Sequence, residues 1–126
     1  MARESIAMSR EEVAALLAEV GWVVVTTLDT EGFPVGDVAP CAAEDETLYF
    51  ALPADGEAAG RIGTDSRVCC AADAYPTYYE IRGASVHGEA RATDRHPGLG
   101  GDGAQTYALD LEDVMSFDFS KIQNKF

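Results

Sequence analysis

Apolar residues recur at helical spacing near the start of the chain, and this pattern predicts an N-terminal helix. Ser9 and Glu12 stand at the spacing of a capping box, in which each side chain accepts a hydrogen bond from the other residue's backbone N–H. Gly21 follows where a left-handed helix terminator belongs. The apolar positions of this helix are Val13, Leu16, Leu17 and Val20.

The rest of the chain consists mainly of short runs of β-branched and aromatic residues between turn residues, which predicts antiparallel strands. Residues 22–28 are almost continuously apolar, the pattern of a strand covered on both faces, and we expect Trp22 in the core. A second strand, residues 33–43, contains Pro34 and Pro40, which favour a sheet edge or an irregular ladder. The remaining predicted strands are residues 47–52, 67–74 and 78–93, and a last one in which Met115, Phe117 and Phe119 face the core.

Glycine-rich and polar segments separate these strands. The run 78–93 is long enough to need a bulge near Gly83 or Gly88. Residues 95–103 hold four glycines and one proline and predict a loop, while residues 109–113 predict a helical turn. Six strands, the N-terminal helix and one short helix therefore predict a mostly β fold, a six-stranded antiparallel barrel that forms one domain over residues 1–126.

Charge restricts the partners that the protein can have. The 126 residues include 22 acidic and 9 basic side chains, for a net charge of −13. Such a surface repels nucleic acids and anionic lipids, so we expect neither as a partner. The sequence shows no signal-peptide pattern and no apolar run near the ~20 residues of a membrane helix, which predicts a cytoplasmic protein.

The residues that commonly carry chemistry show no recognisable constellation. The three cysteines are an odd set, which does not predict a disulfide framework, and neither histidine stands at a metal-ligand spacing from them. The sequence contains no nucleophile elbow, P-loop or dinucleotide fingerprint. We therefore predict no metal site and identify no catalytic residue. The residues concerned are Cys41, Cys69, Cys70, His87 and His96.

One segment has the position of a cofactor site. Residues 55–61 follow the third predicted strand and begin a turn of helix, where backbone N–H groups commonly hold a phosphate. Asp55 and Glu57 would repel a phosphate, and only Arg61 in this segment would attract one. The position therefore favours a cofactor site, whereas the charge disfavours a phosphorylated ligand.

Several fragments resemble the pyridoxamine 5′-phosphate oxidase-like flavin-binding split-barrel superfamily. They are G-F-P at 32–34, T-L-Y-F-A at 47–51, D-S-R-V at 65–68 and I-R-G-A at 81–84, closing on G-E-A-R-A-T-D at 88–94. Their order and spacing carry the resemblance, which covers roughly residues 9–94. It implies a split β-barrel, a homodimer with FMN or a deazaflavin at the subunit interface, and oxidoreductase activity on a small molecule.

The resemblance also implies where a cofactor would bind. Members of the superfamily commonly carry Ser, Arg and Lys on the segment after the third strand. Counting back ten residues from Val68 places Ala58 at the Lys position, and Gly56 and Glu57 stand where Ser and Arg are common. The cofactor contacts implied in this chain are Cys41, Ala51, Leu52, Gly56, Glu57, Ala58, Arg61 and Arg82.

Three functions remain open from the sequence. The first is an FMN-dependent oxidoreductase. The second is a non-enzymatic or cofactor-free split barrel that binds a small ligand, which the acidic residues 55–57 favour. The third is a deazaflavin-dependent reductase, whose anionic cofactor the carboxylates of residues 55–57 would also repel.

The sequence also leaves alternative roles open for several individual side chains. Arg61 either binds a phosphate or pairs with Asp65 or Glu57, and Arg82 reaches a cofactor, pairs across a dimer or is solvated. Cys41 lacks a neighbouring base and is interpreted as packing. Three tyrosines either stack on a flat ligand or pack at a dimer interface, namely Tyr75, Tyr78 and Tyr79.

Overall fold

The computed structural model describes residues 5–77 and 80–125. These residues form two α-helices, eight strands and a 3₁₀-helix, two strands more than the sequence predicts. The elements are α1 (Arg10–Val20), β1 (Trp22–Leu28), β2 (Pro34–Glu44), β3 (Thr47–Pro53), α2 (Glu57–Thr64), β4 (Arg67–Ala74), β5 (Arg82–Glu89), β6 (Arg91–Thr93), β7 (Ala104–Asp110), β8 (Asp113–Asp118) and the 3₁₀-helix (Phe119–Lys125).

The strands form one curled antiparallel sheet in the order β6-β7-β3-β2-β1-β4-β5-β8. Strand β2 belongs to both halves of the sheet: it pairs with β1 up to Pro40 and with β3 from Cys41 onward. The two prolines of β2 do not place it at an edge. Pro34 is the first residue of the strand and Pro40 lies where the pairing changes partner, so neither missing N–H interrupts a regular ladder.

Helix α1 begins and ends as its sequence predicts. Ser9 Oγ accepts a hydrogen bond from Glu12 N at 3.1 Å, and the Glu12 carboxylate accepts one from Ser9 N at 2.9 Å. Gly21 ends the helix with a φ of 73°. The helix buries Val13, Leu16 and Leu17 in a single hydrophobic cluster with the inner face of the sheet.

The long strand predicted at 78–93 is two strands, and its first two residues lie outside the described residues. β5 pairs with β4 and β8, whereas β6 pairs with β7 on the other half of the sheet. Gly88, near this break, allows the halves to approach, because a Cβ there would lie only 2.9 Å from Leu109 Cδ1 on β7. This contact helps to curl the sheet into a barrel.

Strand β7 was not predicted from the sequence. Leu109 and Asp110 form its end rather than a helical turn, and Leu109 pairs in register with Leu48 of β3. The acidic sequence 109–113 is locally compatible with a helical turn, but tertiary pairing overrides this preference.

The outer face of the sheet remains partly uncovered. Val23 and Val25 of β1 are buried, whereas Trp22 and Val24, which alternate with them, are 54% and 44% exposed. The prediction that β1 is covered on both faces, with Trp22 in the core, is therefore wrong. Met115 and Phe119 were predicted to face the core and are also exposed. None of the described helices is long and apolar enough to cross a membrane.

Two glycine substitutions should shift stability in opposite directions. Gly21→Ala should lower the free energy of unfolding by about 1 kcal/mol, because an L residue with a Cβ is strained at positive φ. Gly60→Ala should raise it by up to about 1 kcal/mol, because Gly60 lies inside α2 with open space at its Cβ position. Urea denaturation measures both values, and equal effects of the two variants would contradict the Gly21 assignment.

Candidate ligand-binding site

Helix α2 begins directly after the turn that follows β3. Gly56 is its N-cap residue, with φ −84° and ψ 168°, and provides no side chain to cap the helix. A Cβ at Gly56 would lie 3.3 Å from the carbonyl oxygen of Pro53, so the turn is tight. Helix starts attract anions, but Glu57 in the first turn already supplies one negative charge here.

Arg61 does not project freely into solvent. Its Nε donates a hydrogen bond to Thr27 Oγ1 at 2.7 Å, and its Nη2 donates one to Asp37 Oδ2 at 2.9 Å. Glu57 lies 3.9 Å from Nη1, so the pairing with Glu57 considered from the sequence is present but secondary. The Arg61 side chain is only 16% exposed. It joins α2 to the inner face of β1 and β2, since Thr27 and Asp37 belong to these strands.

The second alternative partner of Arg61, Asp65, is held by Arg67 instead. The Arg67 guanidinium donates to both Asp65 carboxylate oxygens at 2.6 and 3.0 Å. These hydrogen bonds lower the pKa of Asp65 to about 2. Asp65 is therefore a carboxylate at neutral pH, and Arg67 is already committed to it.

Acidic groups dominate the surface beside α2. A groove of about 930 Å³, here called the α2 groove, runs between the helix and the end of β1. Arg61 is the one cation in its lining. The carboxylates of the lining are Asp29, Glu57, Asp65 and Glu89.

Six further cations each have a carboxylate within 4.0 Å, so none of these six offers an unpaired charge to a phosphate. The pairs are Arg10 with Glu46, Arg67 with Asp65, Arg82 with Glu19, Arg91 with Asp110, Arg95 with Glu44, and Lys121 with Glu12.

Cys41 and Leu52 lie in the hydrophobic core. The Cys41 thiol donates to the carbonyl oxygen of Leu17 in α1 at 3.6 Å. Burial raises the pKa of Cys41 to about 11, so the group is a neutral thiol at pH 7. This agrees with its interpretation as a packing residue.

Ala51 lies beneath the glycine-rich loop, residues 94–103. A Cβ at Gly100 would lie 2.7 Å from the Cβ atom of Ala51, so the loop backbone contacts β3 directly. His96 packs on the ring of Tyr49 at a centroid distance of 4.5 Å, and its Nε2 lies 3.3 Å from a Glu44 carboxylate oxygen. The loop therefore covers this part of β3.

Four predicted cofactor-binding residues, Gly56, Glu57, Ala58 and Arg61, come together on α2. Ala58 is buried in the core, so its position does not present a side chain to a ligand at the helix start. Arg82 instead pairs with Glu19 of α1. Tyr75 is exposed. Tyr78 and Tyr79, for which ring stacking and dimer packing were the alternatives, lie outside the described residues.

A second groove, which sequence reasoning missed, lies on the outer face of the sheet. It measures about 460 Å³, and its floor contains the small residues Ala71, Gly83 and Ser85. Val24 and Met115 border it and are exposed. A Cβ at Gly83 would lie 2.7 Å from the ring of Phe117, so a larger residue here would displace that ring. The small residues could not be recognised as a floor without the register that aligns β1, β4, β5 and β8.

Comparison with known proteins relates this architecture to solved structures. No protein-family model and no curated protein sequence matches the chain. A conserved hypothetical protein from Mycobacterium tuberculosis has a TM-score of 0.81 at 18% identity, with 98% of this chain and 92% of that chain covered. The FAD binding protein from Mycobacterium smegmatis has a TM-score of 0.73 at 14% identity, with coverages of 88% and 97%.

A putative pyridoxamine 5′-phosphate oxidase from Listeria innocua has a TM-score of 0.68 at 13% identity, and 85% of this chain and 96% of that chain are covered. The chain has the split-barrel fold. The suspected resemblance to the pyridoxamine 5′-phosphate oxidase-like superfamily is confirmed at the level of this fold.

The segment at the start of α2 does not fit the phosphate of FMN or of a deazaflavin. The only cation of this segment is Arg61, and its guanidinium already donates hydrogen bonds to Thr27 and Asp37. The segment also contains the carboxylates Asp55 and Glu57. A phosphate needs donors and positive charge, and it would meet acceptors and negative charge here. The apolar outer groove, by contrast, is compatible with a flat ring.

Arg61→Ala should destabilise the split barrel. The substitution leaves Asp37 and the fully buried Thr27 hydroxyl without their donor, and we expect a loss of about 1–3 kcal/mol in the free energy of unfolding. Arg91→Ala is the matched control, because its pair with Asp110 is exposed and should contribute less than about 1 kcal/mol. Urea denaturation of both variants is the measurement, and equal losses would argue against a structural role of Arg61.

Proposed function

We propose that the protein is a split-barrel homodimer that binds a planar heteroaromatic ligand of the flavin class between the outer faces of two copies. The observation that carries this proposal is the exposed apolar outer face around the groove. Trp22, Val24 and Val38 are all exposed there, and Val24 and Val38 are cross-strand neighbours. Contiguous apolar surface of this kind commonly marks an interface or a ligand site.

Solved structures support the ligand class. The FAD binding protein from Mycobacterium smegmatis and the putative pyridoxamine 5′-phosphate oxidase from Listeria innocua share the fold of this chain. In the proposal, the small floor residues accept the face of a ring, and Phe117 and Met115 pack against its edges. A bound flavin would supply oxidoreductase chemistry.

A second candidate function is a cofactor-free split barrel that binds another small ligand. The pairing of Arg61 with Asp37 favours this second function, because the guanidinium that could bind a flavin phosphate already donates to a carboxylate. A deazaflavin-dependent reductase meets the same obstacle, since its cofactor also carries a phosphate. We further propose a cytoplasmic location, where free thiols such as Cys41 and Cys70 are usual.

The absorbance of the purified protein separates the first two functions. A flavin ring that copurifies, or that binds when riboflavin is added, should give flavin absorbance bands and quenched flavin fluorescence. A colourless protein that leaves the fluorescence of both riboflavin and FMN unchanged would contradict the flavin proposal and favour the cofactor-free one.

Val38→Asp should separate the dimer. Val38 is 66% exposed on the outer face, and a charge there would have to be buried between two apolar surfaces. We expect the parent protein to have twice the chain mass of 13.4 kDa by light scattering, and the variant to have the chain mass.

The matched control is Phe33→Asp. Phe33 is similarly exposed but lies in the turn before β2, outside the sheet. This variant should remain dimeric. A monomeric parent at micromolar concentration, or a dimeric Val38→Asp variant, would contradict the proposed interface.

A further inference from the structure

We propose that Asp73 and Ser85 orient the ligand in the 460 Å³ groove on the outer face, here called the outer groove. The Asp73 carboxylate accepts a hydrogen bond from a ring N–H, and the Ser85 hydroxyl donates one to a ring carbonyl. The outer groove therefore selects flat rings whose edge carries an N–H next to a carbonyl, as the pyrimidine part of a flavin does. The inference rests on the proposed flavin-class ligand and names the polar contacts that hold it.

Few polar side chains line the outer groove. Among the described residues of the lining, the polar ones are Asp73, Ser85 and Ser116. Ser116 Oγ already hydrogen-bonds the backbone N and O atoms of Met8 at 2.9 and 3.4 Å. Asp73 and Ser85 have no side-chain hydrogen bond or ion pair with any group that the structure describes. In a mainly apolar site, open polar groups of this kind commonly fix the orientation of a ligand.

The register of the sheet places both side chains beside the same glycine. Asp73 of β4 lies opposite Gly83 of β5, and Ser85 lies two residues further along β5, on the same face. Diagonal neighbours of this kind are about 7–8 Å apart. This separation leaves room for the edge of one ring between the carboxylate and the hydroxyl.

An aromatic side chain completes this part of the outer groove. Phe117 of β8 lies opposite Gly83, and its ring occupies the space above the glycine, only 2.7 Å from where a Cβ would stand. Because Gly83 is also the partner of Asp73, the ring lies next to the carboxylate. A flat ligand can therefore pack on Phe117 while its edge meets Asp73.

The nearest described cation does not neutralise Asp73. Arg82 and Asp73 line one neighbouring depression, but the Arg82 guanidinium pairs with Glu19 of α1. The Asp73 carboxylate is exposed in the single chain. A ligand enclosed between two copies displaces water from it, and a carboxylate that loses water without gaining a donor is destabilised. A ring N–H supplies this donor, whereas a ring with a methyl group in its place does not.

The experiment compares two ligands that differ at this one position. Riboflavin and its N3-methyl derivative are titrated separately against the parent protein, with quenching of flavin fluorescence as the measurement. Riboflavin should bind at least about tenfold more tightly, because only riboflavin can donate a hydrogen bond to the charged carboxylate. This comparison needs no variant, so it does not depend on the folding of one.

Two variants identify the partners on the protein. Asp73→Ala should weaken riboflavin binding at least about tenfold and leave the methylated ligand unchanged, so that the two ligands bind equally. Ser85→Ala should weaken both ligands by the same factor, about two- to tenfold, because both keep the ring carbonyl.

Asp113→Ala is the matched control. It removes the same charge from an exposed carboxylate on the outer face of β8, outside the lining of the outer groove. The affinities of both ligands should stay at their parent values. An equal loss of riboflavin binding in this variant would assign the effect to net charge and overturn the role of Asp73.

The outcomes separate this inference from the proposed function. If the parent binds both ligands equally, or if the preference for riboflavin persists in Asp73→Ala, the inference is overturned while the flavin-class proposal stands. The second result would mean that the methyl group acts by its size alone. If the parent binds neither ligand, the proposed function fails and the inference fails with it.

Discussion

The change of partner along β2 is the constraint on which the rest of the structure depends. Because β2 pairs with β1 up to Pro40 and with β3 from Cys41, two half-sheets become one curled sheet with an inside and an outside. The inside receives α1 and the apolar side chains of the core. The outside keeps exposed apolar residues and a groove with a floor of small residues.

Helix α2 is positioned by the same curvature. It reaches the open end of the inner face, where Arg61 meets Thr27 of β1 and Asp37 of β2. The residue that resembles a phosphate ligand in sequence is therefore a structural tie between the helix and the two strands. Pairing of β1 with β2 places Thr27 and Asp37 side by side, and both then accept hydrogen bonds from Arg61.

Electrostatics extends this pattern to the described part of the chain. In a protein with 22 acidic and 9 basic residues, carboxylates outnumber cations by more than two to one, and seven of the described cations lie within 4.0 Å of a carboxylate. Exposed pairs of this kind contribute little stability, but they leave few open positive charges. The partly buried Arg61 pair differs, because its geometry is held by packing.

Part of this organisation could be predicted from local sequence. The capping box at Ser9 and the left-handed Gly21 define α1 because their hydrogen bonds join residues a few positions apart. The bounds of β1 and β4 follow from their β-branched and apolar runs in the same way. The fragments that resemble the split-barrel superfamily indicated the fold, although the pattern of apolar runs predicted two strands too few.

What the sequence by itself determined is therefore the helix, most of the strands, the acidic charge and the fold class, since each depends on neighbouring residues or on composition. Only the tertiary structure decided that residues 78–93 are divided between two half-sheets and that Trp22 lies outside the core. It also decided that the Asp37 carboxylate accepts a hydrogen bond from Arg61. Asp37 and Arg61 stand 24 positions apart, and no local pattern reports such a pairing. The physical reason is that burial and ion pairing are properties of the face on which a residue lies, and a face exists only after the strands have paired.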